Sequence, residues 1–327
     1  MIIFKKKLFD EILNLKISKF KKAELISDFC RINTLSIIKI AGSGHIGTSM
    51  SAMDIFVWIQ FFLINKKKFY KKDLNRDIFF SSKGHDVPAM YSVLYSLGIL
   101  KLKQFTMLRR LNGLDGHPDV SIKSIETNTG SLGMGISKAK GFAWSKKYLN
   151  KKGSTFVLTG DGEFQEGQIF ESLQTTAHQK LNDIVVIIDH NKIQSSKFIK
   201  DVIDLKNLKK KIRSFGWHVD RCNGHSFVEL DKAFNKFKKI KNKPKLLIAD
   251  TIKGKGVKLI EHVSFMKKNK FYTWHSGAPS DKVYNKMINS IISHIKKKIN
   301  RNDLKFDFFA KKNYYTYTNK NISIDIH

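Results

Sequence analysis

Asp161 and Asn191 are the residues of this 327-residue sequence whose types and setting most clearly suggest chemistry. Carboxylate and amide oxygens are hard ligands, and Mg²⁺ is usually held by one or two carboxylates while phosphates and water complete its octahedron. Gly160 and Gly162 flank Asp161, and glycine lets the backbone come close to an anion. A tight turn with a solvated aspartate would explain Gly-Asp-Gly alone. The asparagine after the next apolar run favours a site for a metal and a diphosphate.

Two short apolar runs must position these two residues. Residues 155–158 lead into Asp161, residues 184–188 lead into Asn191, and a helix-length amphipathic segment lies between them. This pattern predicts a βαβ unit of a parallel sheet. Because ligands of such sheets bind at the carboxyl ends of the strands, we expect Asp161 and Asn191 to lie at one edge. The predicted fold class is α/β, with a doubly wound parallel sheet flanked by helices. The sequence also predicts an apolar helix over residues 52–63 and a lysine-rich helix over residues 205–215.

The formal net charge of +32 would ordinarily suggest a nucleic acid or an anionic membrane as partner. The lysines, however, are scattered through every segment, and no recognition motif for DNA or RNA is present. We therefore expect no specific nucleic-acid partner, although weak binding at low salt is compatible with the charge.

Several features favour a cytoplasmic protein without a membrane span. Cys30 and Cys222 lack metal-ligand spacing and are predicted to be buried reduced thiols. The apolar start of the chain is too short for a secretory signal. The longest apolar run, residues 55–64, is interrupted by Gln60 and is too short to cross a bilayer.

The motif Gly160-Asp161-Gly162, followed by Asn191, resembles the signature of thiamine diphosphate enzymes. The sequence of residues 160–194 is similar to that of transketolases. The resemblance implies that Asp161, Asn191 and the backbone carbonyl of Ile193 hold Mg²⁺, or Ca²⁺ or Mn²⁺ in its place. Gly160 and Gly162 would approach the diphosphate. Glu166 matches a glutamate that lies at the subunit contact in the family.

Four histidines lie within two residues of a glycine, in Ser43-Gly44-His45-Ile46-Gly47, Lys83-Gly84-His85, Gly116-His117-Pro118-Asp119 and Trp274-His275-Ser276-Gly277. A helix cap, a surface residue or a hydrogen-bonded turn would explain each one alone. Together they resemble the active-site histidines of transketolases. The resemblance gives His45 and His117 the proton transfers of the sugar hydroxyls. It makes His85 and His275 donors to the diphosphate, with His275 able to do both.

The segment Glu126-Thr127-Asn128-Thr129-Gly130-Ser131-Leu132-Gly133-Met134-Gly135 is a glycine-rich turn before a predicted helix. Such a turn alone is often only tight packing. It resembles the transketolase segment in which the backbone at Gly130 and the side chain of Leu132 cradle the cofactor rings. Asn128, Ser131 and Met134 depart from the family sequence. Ser195 does so too, because transketolases usually place an aliphatic residue there.

The resemblance covers residues 10–290 and only the diphosphate-binding half of a transketolase. We expect one thiamine diphosphate and Mg²⁺-binding domain over residues 1–299, followed by an extension or tail over residues 300–327. The glutamate that activates the cofactor comes, in the family, from a pyrimidine-binding domain. We therefore expect a separate C-terminal subunit to supply it, in a two-fold dimer of heterodimers that acts on sugar phosphates.

Two other functions are compatible with the sequence. The first is another thiamine diphosphate enzyme subunit, of the 2-oxo-acid decarboxylating or deoxyxylulose-phosphate synthase kind. The second is a non-catalytic basic scaffold that has kept the fold. The sequence also leaves open the role of the long connection over residues 257–273, and whether the last residues form strands.

Overall fold

The computed structural model describes residues 1–65, 68–69, 73–301, 304, 307–318 and 321–323. These residues divide into two compact units. The helical unit comprises residues 1–57, 85–116 and 254–327, and the sheet unit comprises residues 58–84 and 117–253. The prediction of one domain over residues 1–299 stays a prediction.

The sheet unit contains a five-stranded parallel sheet, which confirms the predicted α/β fold class. Its strands are β2 (Ile78–Ser81), β3 (Thr155–Gly160), β4 (Ile184–His190), β7 (His218–Asn223) and β8 (Lys245–Asp250). Their order in the sheet is β2-β3-β4-β8-β7, which differs from their order in the chain. The α-helices among the described residues of this unit include Gly135–Tyr148, Gly167–His178, Leu208–Ser214 and Phe227–Lys239. A two-residue-per-strand hairpin, β5 (Ile193–Gln194) and β6 (Lys197–Phe198), follows β4.

Burial explains why the central strands form. All six residues of β3 and the first six of β4 are buried, as expected for strands covered on both faces by helices. β-Branched residues dominate β4, and such side chains pack well on a pleated surface. The register pairs Gly160 with Asp189, so that both strands end at the same edge of the sheet.

The helical unit carries helices and a small antiparallel sheet. The helices are Lys6–Asn14, Lys19–Ala41, Ile46–Val57, Val87–Ser96, Leu102–Phe105, His262–Phe265 and Asp281–Arg301. In the sheet, β1 (Ile2–Phe4) pairs with β9 (Tyr314–Thr318), and β9 pairs with β10 (Asn321–Ser323). The described part of the C-terminal extension is therefore strand-like. The connection over residues 257–273 contains one short helix.

Two predicted helices differ from the observed ones. The helix predicted over residues 205–215 begins only at Leu208, because Asn207 caps it by accepting a hydrogen bond from the Lys210 amide at 3.0 Å. The helix predicted over residues 52–63 begins at Ile46 and ends in a π-helical segment, Trp58–Leu63.

This helix is longer than the apolar run seen in the sequence. The described residues contain this one segment, Ile46–Leu63, that is long and apolar enough to cross a membrane by length and composition alone. Of its 18 residues, 89% are buried inside the protein, as in the core helix of a globular fold. The segment is therefore weak support for a membrane span.

Candidate active site

Asp161 and Asn191 directly follow the neighbouring strands β3 and β4, and both side chains are buried. The Asp161 carboxylate accepts hydrogen bonds from the amides of Gly162 at 2.9 Å and Lys192 at 2.5 Å. The Asn191 side-chain oxygen accepts from the Ile193 amide at 3.1 Å. Asp161 is thus tied to the residue that follows Asn191. The structure brings these two predicted ligands to one edge of the sheet.

The Asp161 carboxylate is held where its negative charge is poorly solvated. Burial raises its pKa to about 6, and the nearby Asp189 carboxylate adds to this effect, while His190, the Lys192 amide and Lys253 oppose it. A divalent cation would relieve that cost, since an opposite charge favours the ionised carboxylate. The residue therefore fits a metal ligand.

Asp189 organises the end of β4 and is fully buried. Its carboxylate accepts hydrogen bonds from Lys83 Nζ at 2.7 Å, from the Thr251 hydroxyl, and from Asn191 Nδ2 at 3.3 Å. Because the Asn191 amide nitrogen is bound to Asp189, its orientation is set and its oxygen remains the group for a cation. Lys83 and Asp189 were not predicted as site residues.

Lys253 is a buried cation beside the predicted ligands. Its Nζ donates to the carbonyls of Ile193 at 3.1 Å and Ser195 at 3.4 Å. Burial lowers its pKa to about 8, while Asp161 and Asp189 oppose this shift. The Ile193 carbonyl, predicted as the third metal ligand, therefore already accepts from an ammonium. A carbonyl has two lone pairs, so this bond leaves one for a metal.

The residues present fit Mg²⁺ better than a metal held by a protein cage. Across the residues that the structure describes, no group of three or more His, Cys, Asp and Glu side chains is placed to hold a metal ion. One carboxylate, one amide and one carbonyl suit a cation that shares its shell with phosphate and water. Buried ammonium groups at Lys83 and Lys253 suit the phosphate.

Glu163 lies under the Gly-Asp-Gly turn and is buried. Its carboxylate accepts from the amides of Gly133 at 2.9 Å and Gly160 at 3.1 Å and from the Ser82 hydroxyl. Burial raises its pKa, although these hydrogen bonds oppose the shift. Glu163 thus joins three segments around the turn. Sequence reasoning selected Glu166, which is exposed, and missed Glu163.

His117 lies against two glycines with positive φ. Gly84 has φ 69° and Gly130 φ 143°. A Cβ atom on Gly130 would lie 2.9 Å from His117 Cδ2, and one on Gly84 would lie 2.8 Å from the Gly130 amide nitrogen. The predicted cofactor residue Gly130 therefore packs directly against a predicted catalytic histidine. Leu132, in the same turn, is 39% exposed, which leaves an apolar side chain available to a ring.

The helical unit brings His45, His85 and His275 together. The ring centroid of His45 lies 5.1 Å from both others, and those of His85 and His275 lie 5.7 Å apart. A backbone hydrogen bond holds the loop of His275 to the start of the helix that follows His45, since the Gly47 amide donates to the Trp274 carbonyl at 3.0 Å. The three histidines that the sequence placed in separate glycine turns therefore form one cluster.

His218 and His225 lie outside the four histidine segments selected from the sequence, and both make internal bonds. His225 Nε2 accepts from the Ile252 amide at 2.8 Å, and His218 Nε2 lies 3.2 Å from an Asp220 oxygen. Both cysteines are free thiols, with Cys30 buried as predicted, whereas Cys222 is partly exposed and the prediction that it is buried was wrong.

Comparison with known protein families identifies the family to which this chain belongs. Residues 22–299 match the model of the transketolase, thiamine diphosphate binding domain. The chain belongs to the transketolase family. The matched region contains all the site residues described above.

The relatives of this chain include short subunits and a longer enzyme. This chain is 33% identical to a subunit of the apulose-4-phosphate transketolase of Phocaeicola vulgatus, over 84% of this chain and 95% of that one. It is 33% identical to the 6-deoxy-6-sulfo-D-fructose transketolase subunit SqwG of Clostridium sp. (strain MSTE9), over 70% of this chain and 84% of that one. Human transketolase is 32% identical over 82% of this chain, but the match spans only 42% of the human protein.

Solved transketolase structures share this fold. The transketolase from Campylobacter jejuni superposes with a TM-score of 0.72 at 26% identity, covering 86% of this chain and 47% of that one. The enzyme from Leishmania mexicana gives a TM-score of 0.70 at 23% identity, covering 87% of this chain and 46% of that one, which supports the fold alone. This chain thus spans about half the length of the solved transketolases.

Proposed function

We propose that this chain is the thiamine diphosphate-binding subunit of a two-chain transketolase. The reaction would transfer a two-carbon ketol unit from a ketose to an aldose. The observation that carries the proposal is the buried Asp161–Asn191 group at adjacent strand ends, in a chain whose match covers 95% of a relative named as a transketolase subunit. A scaffold without catalysis would have no need for a buried carboxylate whose charge the fold penalises.

Asp161, Asn191 and the Ile193 carbonyl would hold Mg²⁺, and Lys83 and Lys253 would neutralise the diphosphate. Thiamine diphosphate supplies the electron sink for breaking and making the carbon–carbon bond. Gly160 and Gly162 would let the backbone come close to its phosphates, and Gly130 and Leu132 would contact its rings. Glu163 holds both glycine turns in place by accepting hydrogen bonds from the amides of Gly133 and Gly160.

The histidines would handle the oxygens of the sugar and of the diphosphate. His45, His117 and His275 would bind or exchange protons with sugar hydroxyl and carbonyl groups, since an imidazole changes its charge near neutral pH. His85 and His275 would donate to the diphosphate. These roles follow the family resemblance, and the clustering of His45, His85 and His275 supports them.

The second chain would supply the pyrimidine-binding domain and its activating glutamate. The short relatives are named as subunits, which supports a partner. We propose a two-fold dimer of heterodimers in the cytoplasm, with Glu166 at a subunit contact. The names of the two short relatives contain a phosphorylated and a sulfonated sugar, so the substrate we propose is a ketose with an anionic group, by default a pentose phosphate.

Reconstitution tests the proposal. The chain should be purified alone and together with the product of a neighbouring gene that encodes a pyrimidine-domain protein. We expect ketol transfer only from the pair, with Mg²⁺ and thiamine diphosphate present. Transfer at full enzymatic rate by the chain alone would contradict the two-chain proposal. Release of carbon dioxide from pyruvate without ketol transfer would favour the 2-oxo-acid alternative.

An aspartate pair provides the matched control for this assay. Asp161→Ala should abolish transfer, since it removes a metal ligand. Asp204→Ala removes an exposed aspartate outside the site and should leave the rate unchanged.

A further inference from the structure

Arg109 contacts the histidine cluster from a loop that sequence reasoning did not select. One guanidinium nitrogen donates to the Ser43 hydroxyl at 2.5 Å, and the other lies 3.4 Å from His45 Nδ1, at the long end of a hydrogen bond. Both partners belong to the Ser43-Gly44-His45 segment. The guanidinium therefore contacts both the Ser43 side chain, two residues before His45, and the His45 ring.

The local backbone directs this side chain. Arg109 has φ 54°, a left-handed conformation that is uncommon for residues other than glycine. Its amide donates to the Leu114 carbonyl at 2.6 Å, which closes the loop. The side chain then passes over Gly116, where a Cβ atom would lie 2.8 Å from Arg109 Nε. A left-handed backbone at Arg109 and a glycine that leaves room for its side chain together place the guanidinium beside His45.

The chemistry of the pair fixes the His45 tautomer. A guanidinium carries five N–H donors and no acceptor, and a neutral imidazole carries its proton on only one nitrogen. Because Nδ1 faces the guanidinium, Nδ1 must accept, and the ring proton lies on Nε2. We infer that Arg109 is a positioning residue that holds His45 as a neutral Nε2–H donor, so that His45 hydrogen-bonds a substrate oxygen and leaves the proton transfers to His117 and His275.

This division of roles deepens the proposed function and rests on it for the identity of the substrate. With Nε2 already protonated, His45 cannot take a proton from a sugar hydroxyl at that atom. It can donate a hydrogen bond to a carbonyl or hydroxyl oxygen and hold it in place. The tautomer of His45 is a property of this chain alone, so it can be measured whether or not the chain proves to be a transketolase.

The tautomer is tested by long-range ¹H–¹⁵N correlation spectra of the full chain labelled with ¹⁵N-histidine at a pH where His45 is neutral. The signal of His45 is identified by its loss in His45→Gln. We expect the Nε2–H pattern in the unaltered chain and in Arg109→Lys, which keeps a cationic donor. Arg109→Glu places an acceptor there and should switch the ring to Nδ1–H. An Nδ1–H pattern in the unaltered chain, or no switch in Arg109→Glu, would overturn the inference.

Kinetics with the second chain present test the role. A glutamine side chain offers an N–H near the position of Nε2, so His45→Gln should keep kcat about tenfold above His45→Ala, whereas His117→Gln should be no better than His117→Ala. Arg109→Glu should lower kcat about 100-fold without weakening cofactor binding. Arg110 donates instead to the Ile40 carbonyl, so Arg110→Glu serves as the charge-matched control and should change kcat less than about threefold. Equal loss in His45→Gln and His45→Ala would show that His45 moves protons and would overturn the assigned role.

Discussion

The strand-end group of the sheet unit and the histidine cluster of the helical unit are held by different means. Asp161 and Asn191 follow two hydrogen-bonded strands, and buried hydrogen bonds from neighbouring amides fix their side chains. His45, His85 and His275 come from three loops far apart in the sequence, and loop-to-loop contacts hold them. Sheet register thus arranges the first group, whereas the second depends on single contacts between loops. A small change in a loop should therefore displace the histidines and leave Asp161 and Asn191 in place.

The largest effect is expected from breaking the contact between Gly47, at the start of the helix Ile46–Val57, and the loop that leads to His275. A Cβ atom on Gly47 would lie 2.8 Å from the Trp274 carbonyl oxygen and 2.9 Å from the Tyr272 ring, so Gly47→Ala must push the start of the helix and this loop apart. Because a displacement of about 1 Å in a site can cost about 100-fold in rate, we expect a loss of that size in kcat of the assembled enzyme. Metal affinity, set by the sheet unit, should stay within about threefold.

The control for this variant is Gly141→Ala. A Cβ atom on Gly141 would meet nothing within 4 Å, and the residue lies inside a helix. This change should leave kcat unaltered and stabilise the fold slightly, by up to about 1 kcal/mol. Equal kcat in both glycine variants would show that the loop contact does not position the histidines.

The next effect concerns the buried ammonium beside the strand-end group. Lys253→Met removes a cation that faces the Ile193 carbonyl, and we expect thiamine diphosphate to bind about 10–100-fold more weakly. Thiamine without its phosphates should bind as before. Calorimetric titration measures both.

Lys255→Met is the matched change two residues later, at a partly exposed lysine whose side chain pairs with Glu261. It should alter neither affinity. Equal weakening of thiamine and thiamine diphosphate in Lys253→Met would show that Lys253 supports the fold and does not hold the phosphates.

The smallest effect separates two glutamates of the same turn. Glu163→Gln puts an amide where three donors converge and should lower the free energy of unfolding by about 1–3 kcal/mol. Glu166→Gln changes an exposed side chain, so we expect no loss of stability in the single chain but weaker assembly with other subunits. Urea unfolding and sedimentation measure the two effects. The same stability loss in both variants would contradict this separation.

The sequence predicted the strand-end group well because its signal is local. An apolar run followed by Gly-Asp-Gly, and a second run followed by Asn, set both the sheet and the edge at which Asp161 and Asn191 lie. The helix starts were less predictable. Asn207 begins its helix three residues later than the apolar pattern suggested, because a cap depends on one side-chain hydrogen bond.

The residues that sequence reasoning missed are those whose role depends on burial. Lys83 and Lys253 are two among 60 lysines and arginines, so their type carried no signal, and only the structure shows that they are buried against Asp189 and Ile193. Glu163 and Arg109 were missed because their partners come from distant loops. A glutamate directly after Gly-Asp-Gly was the one available hint for Glu163.

Binding of Mn²⁺, followed by its electron paramagnetic resonance signal, tests the central claim most directly. The chain with its partner and thiamine diphosphate should bind one Mn²⁺ per chain. Asp161→Ala and Asn191→Ala should each weaken that binding by more than about tenfold, while Asp204→Ala should not. Undiminished Mn²⁺ binding in both site variants would contradict the account, because the ion would then be held elsewhere.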